Sequence, residues 1–142
     1  MKNKNLSIFR IAVIAFAFAL VFTSCNKNRN TSEEEYLIKV DSIQLADTVK
    51  LGENFTIKFY GIIGENGCSS FSRFITDKTA NEYAVQVIGK RKVGPQLICT
   101  EILPLLDGKT TTFTADSIGS VKIKVINPGV DQSFEKEVVV IP

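Results

Sequence analysis

The chain has 142 residues, 44% apolar and 23% charged, with 17 Lys and Arg against 15 Asp and Glu and neither His nor Trp; this is the composition of one globular domain. Three of the cations, Lys2, Lys4 and Arg10, precede an apolar run, so from Cys25 onward 14 cations face 15 anions, a net charge of −1, and a near-neutral body offers nucleic acid no electrostatic footprint. Without imidazole the chain lacks the side chain that most often moves protons near neutrality and the commonest metal ligand, which argues against an enzyme, a metal or another cofactor.

Residues 1–10 carry three cations and no anion, and residues 11–22 (IAVIAFAFALVF) follow with no polar side chain. That succession is the n-region and h-region of an export signal. As a helix the apolar run would span roughly 18 Å, short of the ~30 Å of a bilayer's hydrocarbon core, so a permanent transmembrane helix is the weaker expectation. Thr23-Ser24-Cys25 then resembles the lipobox of bacterial lipoproteins, in which a small residue precedes an obligatory cysteine. The resemblance implies a signal peptide over residues 1–24 and cleavage after Ser24. Cys25 would then carry a thioether-linked diacylglycerol and an acylated amino group, anchoring an exported protein to the outer membrane on its periplasmic or surface face. Two or more acyl chains anchor stably where one does not. Residues 25–35 are expected as a lipid-anchored polar tether, because residues 26–35 (NKNRNTSEEE) hold no apolar side chain to offset the entropy of ordering. Fully extended, those ten residues would reach roughly 33 Å. Glu33, Glu34 and Glu35 are expected as solvated tether charges; such runs also resemble surface-export signals of one phylum of Gram-negative bacteria.

From residue 36 to residue 142 the apolar period is two. Phe55, Ile57 and Phe59 alternate with polar residues, as do Val121, Ile123 and Val125; Tyr83, Val85 and Val87 share one parity, and Phe134, Val138 and Val140 another. Alternation of this kind predicts strands with one buried face. Turn formers separate them: Leu51-Gly52-Glu53-Asn54, Gly64-Glu65-Asn66-Gly67, Lys92-Val93-Gly94-Pro95, Leu106-Asp107-Gly108-Lys109 and Asn127-Pro128-Gly129. The expected fold is all-β, an antiparallel sandwich of about seven or eight strands. The stretch from Asp116 through Gly119 to Val125 resembles the turn and strand near the end of immunoglobulin-like domains, with Val121 where those domains often carry Tyr. The resemblance implies an immunoglobulin-like Greek-key sandwich.

Cys68 and Cys99 form an even pair once lipidation consumes Cys25, and after export a structural disulfide is the expected state, with free thiols the alternative. The bridge would tie the turn at residues 64–67 to a strand at Leu97-Ile98-Cys99. Asn66-Gly67-Cys68, the aromatics Phe71 and Phe74, and Ile98-Cys99-Thr100 also resemble a group of small bacterial lipoproteins with an NGC-aromatic motif and a second cysteine some thirty residues on. That resemblance implies fold and address but no activity.

The remaining candidates are weak chemically. Ser133 and Lys136 match a Ser–Lys spacing that aligns only on a helix, whereas in a strand they point to opposite faces. Lys90-Arg91-Lys92 is the only basic cluster and is expected as a solvated loop, with an anionic glycan or headgroup as the functional alternative. Phe71 and Phe74 stand on opposite parities, so with Tyr83 they are candidate ligand contacts that could stack on a sugar. Asp41-Ser42-Ile43, Asp47-Thr48-Val49 and Asp116-Ser117-Ile118 resemble the Asp-Ser/Thr-aliphatic O-glycosylation sites of exported bacterial proteins, which makes Ser42, Thr48 and Ser117 candidate acceptors; the plainer expectation is turn formation.

These residues together point to a non-enzymatic exported lipoprotein, a binding or structural module of the envelope or cell surface. Its expected partners are the membrane, through the acyl chains on Cys25, and a protein or glycan. The alternatives are a glycan-binding accessory module and a protease-inhibitor-like domain presenting a loop at Lys92-Val93-Gly94-Pro95.

Overall fold

The computed structural model describes residues 31–79, 81–129 and 132–142. The expected signal peptide, Cys25 and the first part of the expected tether therefore lie outside the described residues. Among the described residues nine strands carry the fold: β1 (Ser32–Leu37), β2 (Ser42–Gln44), β3 (Thr48–Lys50), β4 (Asn54–Tyr60), β5 (Ser69–Lys78), β6 (Glu82–Val93), β7 (Lys109–Thr114), β8 (Gly119–Val125) and β9 (Phe134–Ile141). They form an all-β structure of two sheets, one ordered β1-β6-β8-β9-β3 with β5 also on β6, the other β2-β4-β7.

The larger sheet is mixed rather than wholly antiparallel, because β6 pairs with β8 and β3 with β9 in parallel. The long strand β6 explains the first of these. β5 occupies one of its edges from Tyr83 to Arg91. On the other edge β8 takes Glu82 to Val85 and β1 takes Ile88 to Val93, running in opposite directions. Where they meet, Ile126 N–H donates to Val85 O and Ile38 N–H to Val87 O. Asn127 closes that seam. Its side-chain oxygen accepts from Val40 N–H at 2.8 Å and its amide donates to Val40 O at 2.8 Å, so one side chain stands in for a ladder partner. At the next residue the chain leaves for the smaller sheet, with Asp41 N–H donating to Tyr60 O.

The expected alternation is present in β4, β6, β8 and β9, whose inward residues Phe55, Ile57, Phe59, Tyr83, Val85, Val87, Val121, Ile123, Val125, Val138 and Val140 are all buried. Inward faces of both sheets contribute to this one apolar core. Tyr83 lies edge-on to Phe55, ring centres 5.8 Å apart, and its hydroxyl donates to Thr114 O at 2.9 Å, so the buried phenol keeps a partner. The turn before β7 is closed by Lys109 N–H on Leu106 O, with positive φ at both Asp107 (43°) and Gly108 (73°). Such a turn favours Asp-Gly because glycine tolerates the left-handed region without a Cβ clash.

Three segments differ from their sequence reading, the first being Lys90-Arg91-Lys92, expected as a solvated loop and found within β6. Ser32 to Glu35, expected at the end of the tether, are the first residues of β1. Leu97 to Cys99, expected as a strand, form none.

Candidate functional site

One pole of the fold collects the features that are not ordinary strand or core. The end of β6 and the starts of β1 and β5 lie there by their antiparallel registers, and Lys109 at the start of β7, paired with the end of β4, reaches over the Phe71 ring of β5. Asn66 builds the turn into β5: its side-chain oxygen accepts from Cys68 N–H at 3.0 Å and its carbonyl from Ser69 N–H at 3.1 Å. Cys68 O in turn accepts from Lys92 N–H, extending the β5–β6 ladder by one rung. The disulfide Cys68–Cys99 is formed, with its Cα atoms 5.3 Å apart. Gly67 donates its N–H to Thr100 O, and a Cβ there would meet the Thr100 hydroxyl, so the two loops cross closely at this point. A cleft of about 270 Å³ opens beside the bridge, lined by Tyr36, Glu65, Asn66, Arg91 and Lys92 among others. Tyr36 anchors its floor by donating to Ile63 O at 2.6 Å.

The acidic run and the basic cluster meet on this pole. β1 pairs antiparallel with β6 so that Glu33 faces Lys92, Glu34 faces Arg91 and Glu35 faces Lys90. The side chains connect Glu34 to Arg91 at 3.0 Å, Glu33 to Lys90 at 3.0 Å, and Glu35 to Arg73 of β5, with Ser72 also donating to Glu35. Arg73 and Ser72 hold the Glu35 carboxyl below its ordinary range, and Glu35 raises Arg73. The cluster Lys90-Arg91-Lys92 is thus the last part of a strand, and Lys92 is the member that makes no ion pair among the described residues.

The loop after β6 is apolar yet outward-facing. Ile98 is 95% exposed, Ile102 69%, Leu105 56% and Leu103 53%, and Ile62, bridged to Leu105, is 48% exposed. The backbone beneath is fixed at Cys99 by the disulfide, at Thr100 by Gly67, at Pro104 by Ile63 N–H, and at Leu106, which is buried and donates to Gly61 O.

The candidate ligand aromatics are placed differently from their sequence reading. A bulge between Phe71 and Arg73 inserts Ser72 and shifts the register, which brings Phe71 and Phe74 to one face, ring centres 4.9 Å apart. Both pack on the core, Phe74 against Phe59 at 5.0 Å, and Tyr83 is 1% exposed. These three rings therefore do not form an exposed stacking platform. Of the acceptor candidates, Ser42 and Thr48 are exposed at the first residues of β2 and β3, each followed by a buried aliphatic, Ile43 and Val49. Ser117 is half-buried between β7 and β8, beside an exposed Ile118 and an Asp116 paired with Lys78.

No group of three or more metal-type ligands occurs among the described residues. Ser133 is occupied locally, its hydroxyl accepting from Asn127 N–H at 3.4 Å. The sequence reading missed Asn127, which stood only as part of an Asn-Pro-Gly turn, and the exposure of the 98–105 loop, whose signal was aliphatic residues lacking any alternation. What the pole offers chemically is contact: the Lys92 ammonium, a small polar cleft and an apolar rim on a braced backbone. The sequence matches no family model and no curated protein, and the fold matches no solved structure.

Proposed function

We propose that the protein is a non-enzymatic lipoprotein of the bacterial envelope, exported and held to the outer membrane through acyl chains on Cys25, whose immunoglobulin-like sandwich serves as a binding or structural module. The observation that carries this reading is the order cationic segment, apolar run, Thr23-Ser24-Cys25, followed within seven residues by a disulfide-bridged β-domain. Formation of the Cys68–Cys99 bridge supports an oxidising destination, since such bridges persist outside the cytosol. Two sheets around one core, with Asp116 and Gly119 leading into an alternating strand, support the immunoglobulin-like assignment. The parallel β6–β8 pairing is a departure from a wholly antiparallel plan.

The test is an intact mass of the protein extracted from its native membrane, before and after reduction and alkylation. The expected mass starts at Cys25 with acyl increments and gains two alkylated thiols only after reduction. A mass starting at Met1 with all three cysteines free refutes the reading.

A further inference from the structure

The braced apolar loop presents Ile98, Ile102, Leu103 and Leu105 to solvent. Loops that only connect strands run over the surface with polar side chains outward, and contiguous exposed apolar residues mark a contact surface. Here Ile98, Ile102, Leu103, Leu105 and Ile62 are exposed together while the backbone that carries them is pinned at four places. The pinning matters because a loose loop would fold such side chains inward. This one cannot.

The described chain begins at the same pole. Ser32 pairs with Val93, the last residue of β6, Lys92 N–H reaches Cys68 O on the neighbouring strand, and Cys99 lies 5.3 Å from Cys68. With strands ~4.8 Å apart, Ser32 is within about 15 Å of Cys99. Only six residues, 26–31, separate Cys25 from Ser32, and a fully extended chain of that length reaches about 25 Å. A lipid on Cys25 would keep this pole, and not the opposite one, next to the bilayer.

We propose that residues 97–105, with Ile62, dock on the lipid bilayer that carries Cys25, with the Ile98, Ile102 and Leu103 side chains entering the boundary between headgroups and acyl chains. The proposal rests on the lipid-anchoring reading above. Because the anchor makes the encounter intramolecular, a patch too small to hold a soluble protein on a membrane suffices to orient a tethered one. Lys92 at the rim suits anionic headgroups. Glu101, exposed between Ile98 and Ile102, must stay in water and limits the loop to shallow insertion.

The chain has no tryptophan, so one introduced indole is a unique reporter. Ile98→Trp places it in the loop, and Ile118→Trp places it between β7 and β8 at the opposite pole, a position 61% exposed. Full-length lipidated protein is reconstituted into vesicles of phosphatidylglycerol and phosphatidylcholine brominated near the top of its acyl chains. Flotation reports the anchor and indole quenching reports the loop. The expected result is that both variants float, that I98W emission shifts to the blue and is roughly halved by brominated lipid, and that I118W is unaffected. Flotation with an unquenched, water-exposed I98W, or with I118W quenched equally, overturns the docking while leaving the anchor. A blue-shifted I98W without vesicles at twice the monomer mass assigns the loop to a second copy and overturns it too. Failure to float overturns the anchor, and the docking with it.

Discussion

Replacing Asn127 with Ala removes the partner of two buried backbone groups, Val40 N–H and Val40 C=O, and of the more exposed Gln132 C=O, to which the amide donates at 3.1 Å. Val40 is 1% exposed and Asn127 5%, so water cannot replace the lost amide without opening the seam between β1 and β8. An unsatisfied buried polar group costs about 1–3 kcal/mol, so the two at Val40 predict a loss of about 2–6 kcal/mol. Domain stabilities are roughly 5–15 kcal/mol, so this substitution alone consumes a large share. Urea unfolding of the oxidised protein, followed by far-UV circular dichroism, should show the midpoint falling by about 1 M or more at unchanged slope. Asn127→Asp separates hydrogen bonding from packing. Its first oxygen still accepts from Val40 N–H, but the second faces Val40 O where a donor stood. Burial and that carbonyl raise the folded carboxyl's pKa above the ordinary ~3.9, so folding favours the protonated acid. The deficit is therefore smallest below that value and grows as pH rises through it. An Asn127→Ala midpoint within experimental error of the parent, or an Asn127→Asp deficit independent of pH, would refute the seam as described.

Three further outcomes follow from the same geometry. Replacing both Cys68 and Cys99 with Ala opens a closed loop of 31 residues and should lower stability by about 3–4 kcal/mol in urea titrations, chiefly through the unfolded chain. Gly89→Ala would set a Cβ 2.8 Å from Tyr36 Cζ and 2.9 Å from Ile38 Cγ1; a ring and a buried branched chain give little, so calorimetry should show a loss of about 1–3 kcal/mol. Arg73 holds Glu35, and Lys122 holds Glu135, below the ordinary 4.5. For a depressed carboxyl the stabilisation is complete above the unfolded value and lost as pH falls through the folded one. The melting temperature should therefore stay level from neutrality to about pH 5 and fall below it, with β1 amides losing exchange protection first.

The core was legible wherever a strand keeps strict alternation over five residues or more. In β4, β6 and β8 one parity is apolar because one face meets the other sheet, and the buried set follows, while β9 joins it only at Val138 and Val140, Lys136 on the same parity being exposed. Legibility failed where the pleat is interrupted. Phe71 and Phe74 stand on opposite parities only until Ser72 bulges out of register, and nothing in the local spacing marks which residue of Phe71-Ser72-Arg73 is the extra one. Parallel pairing was equally hidden, since strand direction depends on which edge of β6 each partner reaches and not on the partner's own pattern. The pole was half legible. Asn66-Gly67 and the two cysteines announced a turn and a bridge, but Leu97-Ile98-Cys99 looked like a strand because its aliphatics gave no sign that they face outward.

The acidic run is the more instructive failure, because composition alone argued correctly from incomplete terms. Residues 33–35 have no apolar surface to bury, and within β1 only Tyr36 and Leu37 are half-buried while Ser32 to Glu35 remain exposed. What orders them is the ladder on β6 and cations 57 residues away in sequence at Lys90 and Arg91, with Arg73 on β5. Either charge run read alone is a solvated segment; paired antiparallel they are complementary at every step, and a slip by one residue would set Glu35 opposite Gly89 or Glu33 opposite Val93, losing one charge pair either way. Exposed ion pairs contribute little individually and are screened by salt, so β1 is secured less firmly than the buried strands beside it. The same weakness bears on how much chain separates Cys25 from the paired strands. Were Cys25 to carry the proposed lipid, a paired β1 would leave six residues between it and the domain and hold the apolar loop within reach of the bilayer; with Glu35 protonated and β1 released, the free segment would extend to Leu37 or beyond and that proximity would be lost. Acid that strips exchange protection from β1 should then also restore water-exposed emission to an indole at position 98, and emission that stays blue-shifted after β1 has exchanged would show that the loop holds the membrane without the strand.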